Sequence, residues 1–417
     1  MTGIHSSPPS APAQRPPLLT RPLLLRFVSG PAASTSFFLL LSVVPGYAAV
    51  SGGGDGGGGR AGLATGALML ATVVGELATP ALVNRYGYRL LLAVGLFLLG
   101  APALALTLSH TLGWIVAVCL LRGLGFAFAV VAGGALTASL IPAERHGEGL
   151  ALVGIVSGVP SLVALPLGMW TAAHAGYGVV FTAAAVVALA AIASVPGLPD
   201  RIRSTGPAVG VTEGLRTAEL RRPAVVFAAT AVAAGIVVTF LPLAVPAKAT
   251  GVVALALFVQ PATATPARWF AGRLGDRHGP DRLVLPGLLL SAAGTLVMVL
   301  TGSPVAVVAG AGLFGIGFGI AQNATLTLMY ARVPTAGYGA VSALWNFAYD
   351  AGMGAGAVAF GWLAAGTGYP WAFALTGAAM LTAVVPARRD RRDRVGVRSA
   401  AVDDVRDRPL DTRSATE

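Results

Sequence analysis

Three ionisable side chains lie inside long apolar segments of the chain, namely Glu76, Asp350 and Arg122. Charged groups are costly inside a bilayer, and where they occur they usually mark an ion or substrate pathway. A carboxyl group that moves between an apolar environment and the neighbourhood of a cation can take up and release one proton per cycle. The sequence therefore predicts proton coupling at Glu76 or Asp350, with Arg122 as the single base inside the apolar segments.

Each of these side chains also has a structural interpretation that the sequence leaves open. Asp350 is followed by Gly352, Gly354 and Gly356, which favour close helix packing, so its carboxyl group could serve as a hydrogen-bonding residue between helices. Arg122 could bond a backbone carbonyl or extend toward the membrane interface.

The elements that would carry these residues are membrane-spanning helices. The chain has 417 residues, of which 55% are apolar and only 11% are charged. This composition excludes an ordinary soluble enzyme and indicates a polytopic membrane protein. With about 20 residues per span, there are twelve apolar runs: Leu23–Val50, Ala61–Val83, Leu90–Leu108, Gly113–Leu140, Gly149–Ala173, Gly178–Pro196, Pro223–Pro246, Val252–Phe270, Leu283–Thr301, Pro304–Ala331, Tyr338–Leu363 and Pro370–Ala387.

The net charge of +11 is a topology signal in this chain. Nearly all of the basic residues between the runs fall on alternate loops, with Arg60 and Lys248 on the opposite side. By the positive-inside rule, both termini are predicted to be cytoplasmic. No hydrophilic segment is long enough for a nucleic-acid site, so no nucleic-acid partner is expected.

An internal repeat is visible in two loops. In the second of them, GRLGDRHG at Gly272–Gly279, Asp276 follows Asn84 of the first loop, PALVNRYGYRL, by 276 − 84 = 192 positions. The same offset relates Arg277 to Arg85 and Gly279 to Gly87, and it recurs from Gly123 and Gly315 to Tyr177 and Tyr369. A register held over roughly a hundred residues indicates two homologous halves.

GRLGDRHG resembles the loop signature of the major facilitator superfamily, which lies between the second and third helices and again between the eighth and ninth. The resemblance implies two six-helix bundles and alternating access. It also implies conformational roles for the loop residues Asn84, Arg85, Gly87, Arg89, Gly272, Asp276, Arg277 and Gly279, with Asp276 as part of a charge lock. Arg122 resembles the signature arginine of the fourth helix, and Gly154, Gly158 and Pro160 resemble the fifth-helix motif of the antiporters.

Four amides stand in apolar runs of the second half: Gln260, Gln322, Asn323 and Asn346. Polar amides in a membrane prefer the bundle interior or a wet cavity. They are candidates for cavity contacts, and hydrogen bonding between helices is the alternative.

The predicted fold is all-α and integral to the membrane, with twelve transmembrane helices in two homologous bundles. The segments are a disordered cytoplasmic N-terminal tail (1–22), an N-terminal bundle (23–199), a cytoplasmic linker (200–222), a C-terminal bundle (223–387) and a charged cytoplasmic tail (388–417).

The leading functional hypothesis is a monomeric plasma-membrane transporter that exports a small hydrophobic or amphipathic molecule, such as a drug or secondary metabolite, in exchange for protons. The five histidines are scattered, so no metal site is predicted, and no cofactor or nucleophile motif indicates an enzyme. The alternatives are a proton-coupled importer of a nutrient or metal-chelator complex, and a nontransporting membrane sensor or scaffold.

Overall fold

The computed structural model describes residues 19–51, 57–141, 146–200, 216–246, 250–333 and 337–390. The predicted terminal tails and linker lie largely outside these ranges. Over the described residues, the chain forms twelve helical spans and no strand. Their bounds are α1 Arg21–Val50 with a break at Ser42, α2 Gly57–Tyr86, α3 Tyr88–Ala105, α4 Leu112–Leu140, α5 His146–Ala175, α6 Tyr177–Gly197, α7 Ala218–Ala244, α8 Thr250–His278, α9 Asp281–Val297, α10 Pro304–Tyr330, α11 Tyr338–Thr367 and α12 Tyr369–Thr382.

The two halves repeat each other in their helix bounds. The bounds of α5 and α11 are separated by 338 − 146 = 192 and 367 − 175 = 192 positions. The four glycines with positive φ in the described residues obey the same offset: Gly87 (83°) pairs with Gly279 (88°), and Gly176 (85°) with Gly368 (79°). Each of them stands where one helix ends and the next begins, because a left-handed residue reverses the chain at low cost only when it is glycine. The predicted two-bundle fold is confirmed.

Close packing within each half relies on glycine at equivalent positions. A Cβ atom on Gly123 of α4 would lie 2.2 Å from the carbonyl oxygen of Leu68 on α2, and one on Gly315 of α10 would lie 2.2 Å from that of Gln260 on α8. Because glycine lacks a side chain, the paired helices approach within direct backbone contact. Each bundle therefore contains an equivalent pair of tightly packed helices, α2 with α4 in the first half and α8 with α10 in the second.

The two largest contacts between the halves are those of α2 with α11 and of α5 with α8. The α2–α11 interface is close-packed: a Cβ on Gly62 would lie 2.4 Å from the carbonyl oxygen of Ala357, and one on Gly361 would lie 2.6 Å from that of Gly58. At the α5–α8 interface, a Cβ on Gly158 of α5 would meet nothing within 4 Å. One interface is sealed by backbone contact, whereas the other leaves free space.

Eight of these helices are long and apolar enough, by composition alone, to cross a membrane. Two of the other four, α8 and α11, carry the charged side chains Arg268 and Asp350 in their interiors. The chain is a multi-pass membrane protein.

Candidate functional site

A pair of carboxyl groups bridges the two halves at the α2–α11 interface. Glu76 of α2 and Asp350 of α11 are hydrogen-bonded to each other through their side chains. Asp350 is 6% exposed and Glu76 is half-buried. Glu76 lies ten residues before the end of α2, and Asp350 lies twelve after the start of α11. At 1.5 Å per residue these positions are roughly 15 and 18 Å from the helix ends, which is near mid-membrane.

The environment of this pair is apolar. Asp350 lies at the edge of a groove of about 710 Å³ between α2, α4 and α11, whose other lining side chains are all apolar. An ionised carboxylate only accepts hydrogen bonds, so a bond between two carboxyl groups requires a proton on at least one of them. The site can therefore hold a proton between the two halves of the protein.

Arg122 occupies a different environment from the acids. Its guanidinium is 2% exposed and donates hydrogen bonds to the backbone carbonyls of Leu99 on α3 and Ser36 on α1, the latter at 2.8 Å. In the described part of the chain, it forms no ion pair with either acid. This geometry corresponds to the carbonyl-bonding alternative, and a coupling role for Arg122 stays a prediction.

The prediction of a single base inside the apolar runs was wrong, because Arg26 and Arg268 are also there. Arg26 of α1 is buried, and its Nε donates to the carbonyl of Gly133 on α4 at 3.0 Å and its Nη2 to that of Ala129 at 3.3 Å. It ties α1 to α4. Arg268 lies on α8, ten residues before the helix ends at His278. Both residues lie inside apolar runs, so a residue-by-residue check for charge would have found them.

A cavity of about 300 Å³ lies between the halves and is lined by α1, α5, α7, α8, α10 and α11. The Arg268 side chain faces it and donates a hydrogen bond to Oε1 of Gln322 on α10. Tyr349, the residue that precedes Asp350 on α11, lines the same cavity. Both polar and apolar side chains line the cavity, among them Phe38, Gly158, Ser161, Leu165, Gln260, Thr265, Arg268, Phe318, Gln322 and Tyr349.

The structure divides the four predicted amides between different environments. Gln260 and Gln322 line the cavity. Asn323 lies beside Gly272, where a Cβ would meet its Nδ2 at 3.4 Å, and Asn346 is half-buried on α11 and is not among the residues that line the cavity.

The fifth-helix motif is only partly described. Gly158 lines the cavity, and the buried Pro160 follows it inside the continuous helix α5. Gly154 lies on the same helix, but its surroundings fall outside the described residues. The open space at Gly158 is the part of the motif that bears on the cavity.

The two loop motifs contain tight turns. Gly87 and Gly279 provide the reversals, while Asn84 and Arg85 are exposed in the first copy and Asp276 and Arg277 in the second. Among the described residues, Asp276 has no ion-pair partner, so the predicted charge lock stays a prediction.

Asp200 is a structural residue beside the first loop motif that the sequence did not single out. Its carboxylate accepts a hydrogen bond from the Arg89 backbone N–H at 3.3 Å, and its backbone carbonyl accepts one from the Tyr88 N–H at 2.9 Å. Arg89 returns a hydrogen bond through its Nε to the carbonyl of Leu198 at 2.5 Å. A carboxylate beside unpaired N–H groups stabilises a helix N-terminus, so Asp200 fixes the start of α3 against the end of α6.

The described residues contain no cluster of His, Cys, Asp and Glu that could hold a metal ion. The site is composed of a carboxyl pair, a separate guanidinium and neutral polar groups. Such groups can bind and release protons and solutes.

Comparison with solved structures finds the same fold over nearly the whole chain. The nucleoside transporter NupG is 13% identical with a TM-score of 0.67, and covers 88% of this chain and 98% of its own. A D-xylose-proton symporter is 15% identical with a TM-score of 0.71, and covers 88% and 96% respectively. A mutant of the peptide transporter POT is 14% identical with a TM-score of 0.72, and covers 89% and 94%.

No curated protein matches the sequence. The family model described as Major Facilitator Superfamily matches residues 23–264 and 224–409. Together these segments include every helix of both bundles, and the chain belongs to the major facilitator superfamily.

Proposed function

We propose that this protein is a secondary transporter driven by the proton gradient, with the Glu76–Asp350 pair as its proton site. The observation that carries the proposal is the hydrogen bond between these two carboxyl groups, one from each half. Alternating access requires the halves to move relative to each other. Any movement that separates α2 from α11 breaks the bond and changes the environment of both carboxyl groups.

The physical chemistry of this pair links protonation to conformation. With one proton shared, the carboxyl groups attract each other and the α2–α11 interface stays closed. With both groups ionised, two negative charges would face each other in an apolar environment, which strongly favours separation and hydration. Release of the proton therefore favours opening, and uptake favours closing, so that the equilibrium between two conformations follows the proton.

We propose efflux of an amphipathic molecule as the direction, because Gly158 of the antiporter-like motif lines the cavity. Proton-coupled uptake is the second candidate, and the D-xylose-proton symporter, which shares the fold, favours it. The plasma membrane is the proposed location, with both termini cytoplasmic. A membrane sensor or scaffold that transports nothing is the alternative outside the transporters, and the absence of flux of any tested compound would support it.

The test uses the purified full chain in sealed proteoliposomes with an imposed pH gradient. A panel of labelled anionic, neutral and cationic amphipathic compounds, with xylose and uridine added, is screened for gradient-driven accumulation and for exchange without a gradient. Glu76→Gln and Asp350→Asn are then assayed on each transported compound. The expected result is loss of driven accumulation with exchange and binding retained.

Glu219→Gln is the matched control, because this carboxylate is exposed at the start of α7. It is expected to transport like the wild type. Full driven accumulation in the double variant Glu76→Gln/Asp350→Asn would refute the proposed proton site. The sign of the gradient that drives accumulation separates efflux from uptake.

The proposed topology has its own test in intact cells. In a Cys119→Ala background, a cysteine at Gly56 should react with an impermeant thiol reagent from outside, and one at Ser204 should not. The opposite pattern would place both termini outside the cell.

A further inference from the structure

Arg268 is a cation in the central cavity, and no carboxylate of the described residues is paired with it. Its side chain is exposed to the cavity, and its hydrogen bond goes to the neutral amide oxygen of Gln322. Tyr349 lines the same cavity. An uncompensated guanidinium near mid-membrane is costly, and that cost falls when an anion binds.

The other two arginines inside the spans do not share this property. Arg26 and Arg122 are both buried, and backbone carbonyls from neighbouring helices accept their N–H groups. Their donors are used within the protein. Arg268 lines the cavity, and its side-chain hydrogen bond among the described residues goes to Gln322, so a planar acceptor in the cavity could engage two of its other N–H groups at once.

The walls of the cavity determine what else the ligand must be. Phe38, Leu165 and Phe318 line the same cavity as the guanidinium, and Gln260, Ser161 and Thr265 offer neutral hydrogen bonds. A volume of about 300 Å³ is at the lower end of small-molecule sites. A highly charged or large ligand does not fit these walls.

We propose that the transported substrate is a small amphipathic organic anion whose carboxylate binds Arg268 while its apolar body packs against Phe38, Leu165 and Phe318. This inference rests on the proposed transport function and specifies its substrate class. The carboxylate would accept a bidentate pair of hydrogen bonds from the guanidinium, the geometry for which arginine is best suited. Gln322 holds the guanidinium in place without neutralising it.

The position of Tyr349 links this site to the proton pair. It precedes Asp350 on α11 and lines the same cavity as Arg268. The proposed substrate site and the carboxyl pair are therefore adjacent along α11.

The experiment measures binding to the purified full chain in detergent, without a membrane or a gradient. The probes are four carboxylates that differ in apolar size and shape, benzoate, 4-phenylbutyrate, 1-naphthoate and octanoate, each paired with its neutral amide. Binding is read from ligand-dependent thermal stabilisation and from quenching of tryptophan fluorescence. Wild type, Arg268→Gln, Arg268→Lys and the exposed control Arg282→Gln are compared.

At least one carboxylate should bind the wild type saturably, and its amide should bind at least about tenfold more weakly, because charge-assisted hydrogen bonds are lost. Arg268→Gln should lose the carboxylate preference, Arg268→Lys should keep part of it, and Arg282→Gln should behave as wild type. Equal binding of acid and amide, binding of no carboxylate in the series, or unchanged preference in Arg268→Gln would overturn the proposal. Melting temperature without ligand identifies any variant that has misfolded.

Failure of this inference is distinguishable from failure of the proton mechanism. Carboxylate preference that depends on Arg268, combined with no response of transport to the pH gradient, would refute the proton site alone. Gradient-driven transport of neutral or cationic compounds only would refute the anion assignment alone.

Discussion

The internal repeat relates the α2–α11 interface to the α5–α8 interface, because α2 corresponds to α8 and α11 corresponds to α5. The first interface carries acidic side chains, whereas the second carries a basic one. Position 76 of α2 maps onto position 268 of α8, since 268 − 76 = 192, and position 350 of α11 maps onto 158 of α5. One interface therefore pairs Glu76 with Asp350, and the other places Arg268 near Gly158. The repeat has kept the backbone and diverged in charge.

This difference gives each interface a separate task. The acidic interface is closed by glycine contacts and has its carboxyl groups bonded to each other. The basic interface opens into the cavity, because Gly158 contributes no side chain where its counterpart is Asp350. A proton needs only a bond between two side chains, whereas a solute needs volume. The asymmetry between the halves therefore assigns the proton to one side and the solute to the other.

The largest expected effect comes from making the two interfaces alike in charge. Arg268→Glu places a carboxylate in the cavity at the position that corresponds to Glu76. Like charges brought together cost several kcal/mol, so carboxylate binding should fall more than about a hundredfold. Probes with an amine in place of the acid should bind better than they bind the wild type. Unchanged carboxylate affinity in isothermal titration would show that position 268 does not determine the ligand charge.

A second variant pair tests the packing difference. Gly62→Ala would place a Cβ atom 2.4 Å from the carbonyl oxygen of Ala357, whereas Gly158→Ala would meet nothing within 4 Å. Overpacking should lower the free energy of unfolding of Gly62→Ala by about 1–3 kcal/mol, while Gly158→Ala should be neutral or slightly stabilising. Thermal unfolding in detergent measures both variants. Equal melting temperatures for Gly62→Ala and Gly158→Ala would contradict the conclusion that the α2–α11 interface is close-packed and the α5–α8 interface is open.

A feature that both halves share should respond equally in both. Gly176 and Gly368 have φ of 85° and 79°, and a Cβ on either would meet nothing within 4 Å, so strain alone opposes a side chain. Alanine at each position should cost about 1–2 kcal/mol. Gly366→Ala, at a helical position two residues before Gly368, is the control and should not destabilise the protein. A large difference in melting temperature between Gly176→Ala and Gly368→Ala would show that the two turns are not equivalent.

The smallest effect concerns the loops. Asp276→Asn makes the second loop like the first, where Asn84 already stands at that position. Because Asp276 is exposed, stability should change by less than about 1 kcal/mol. The charge lock implied by the superfamily resemblance predicts a few-fold fall in transport and altered thiol accessibility of the cavity mouth. Unchanged accessibility and transport would leave Asp276 as a solvated surface residue.

The sequence predicted the fold because its strongest signals are local or periodic. Apolar runs of span length identify the helices, and the constant offset of 192 positions pairs Gly87 with Gly279. Bounds differ by a few residues, as for α2, which continues to Tyr86 although the apolar run was predicted to end at Val83. Hydrophobicity falls gradually at a helix end, whereas the turn at Gly87 defines the end sharply.

The site was predicted less completely, because contacts between distant residues leave no local pattern. Glu76 and Asp350 were each singled out for their charge, but nothing in their spacing shows that they bond to each other. Arg268 was missed even though the offset of 192 leads to it directly from Glu76. The repeat contains this signal at positions where the two halves differ in charge, and not at the positions where they share a residue.

The most direct test of the proton site reverses the usual assay. A gradient of the transported compound is imposed across sealed proteoliposomes without a pH difference, and the lumenal pH is followed with a trapped fluorescent dye. The account predicts that the wild type moves protons in response to the compound, and that Glu76→Gln/Asp350→Asn equilibrates the compound with no change in lumenal pH. Proton movement in the double variant equal to that of the wild type would contradict the assignment of the proton to this interface.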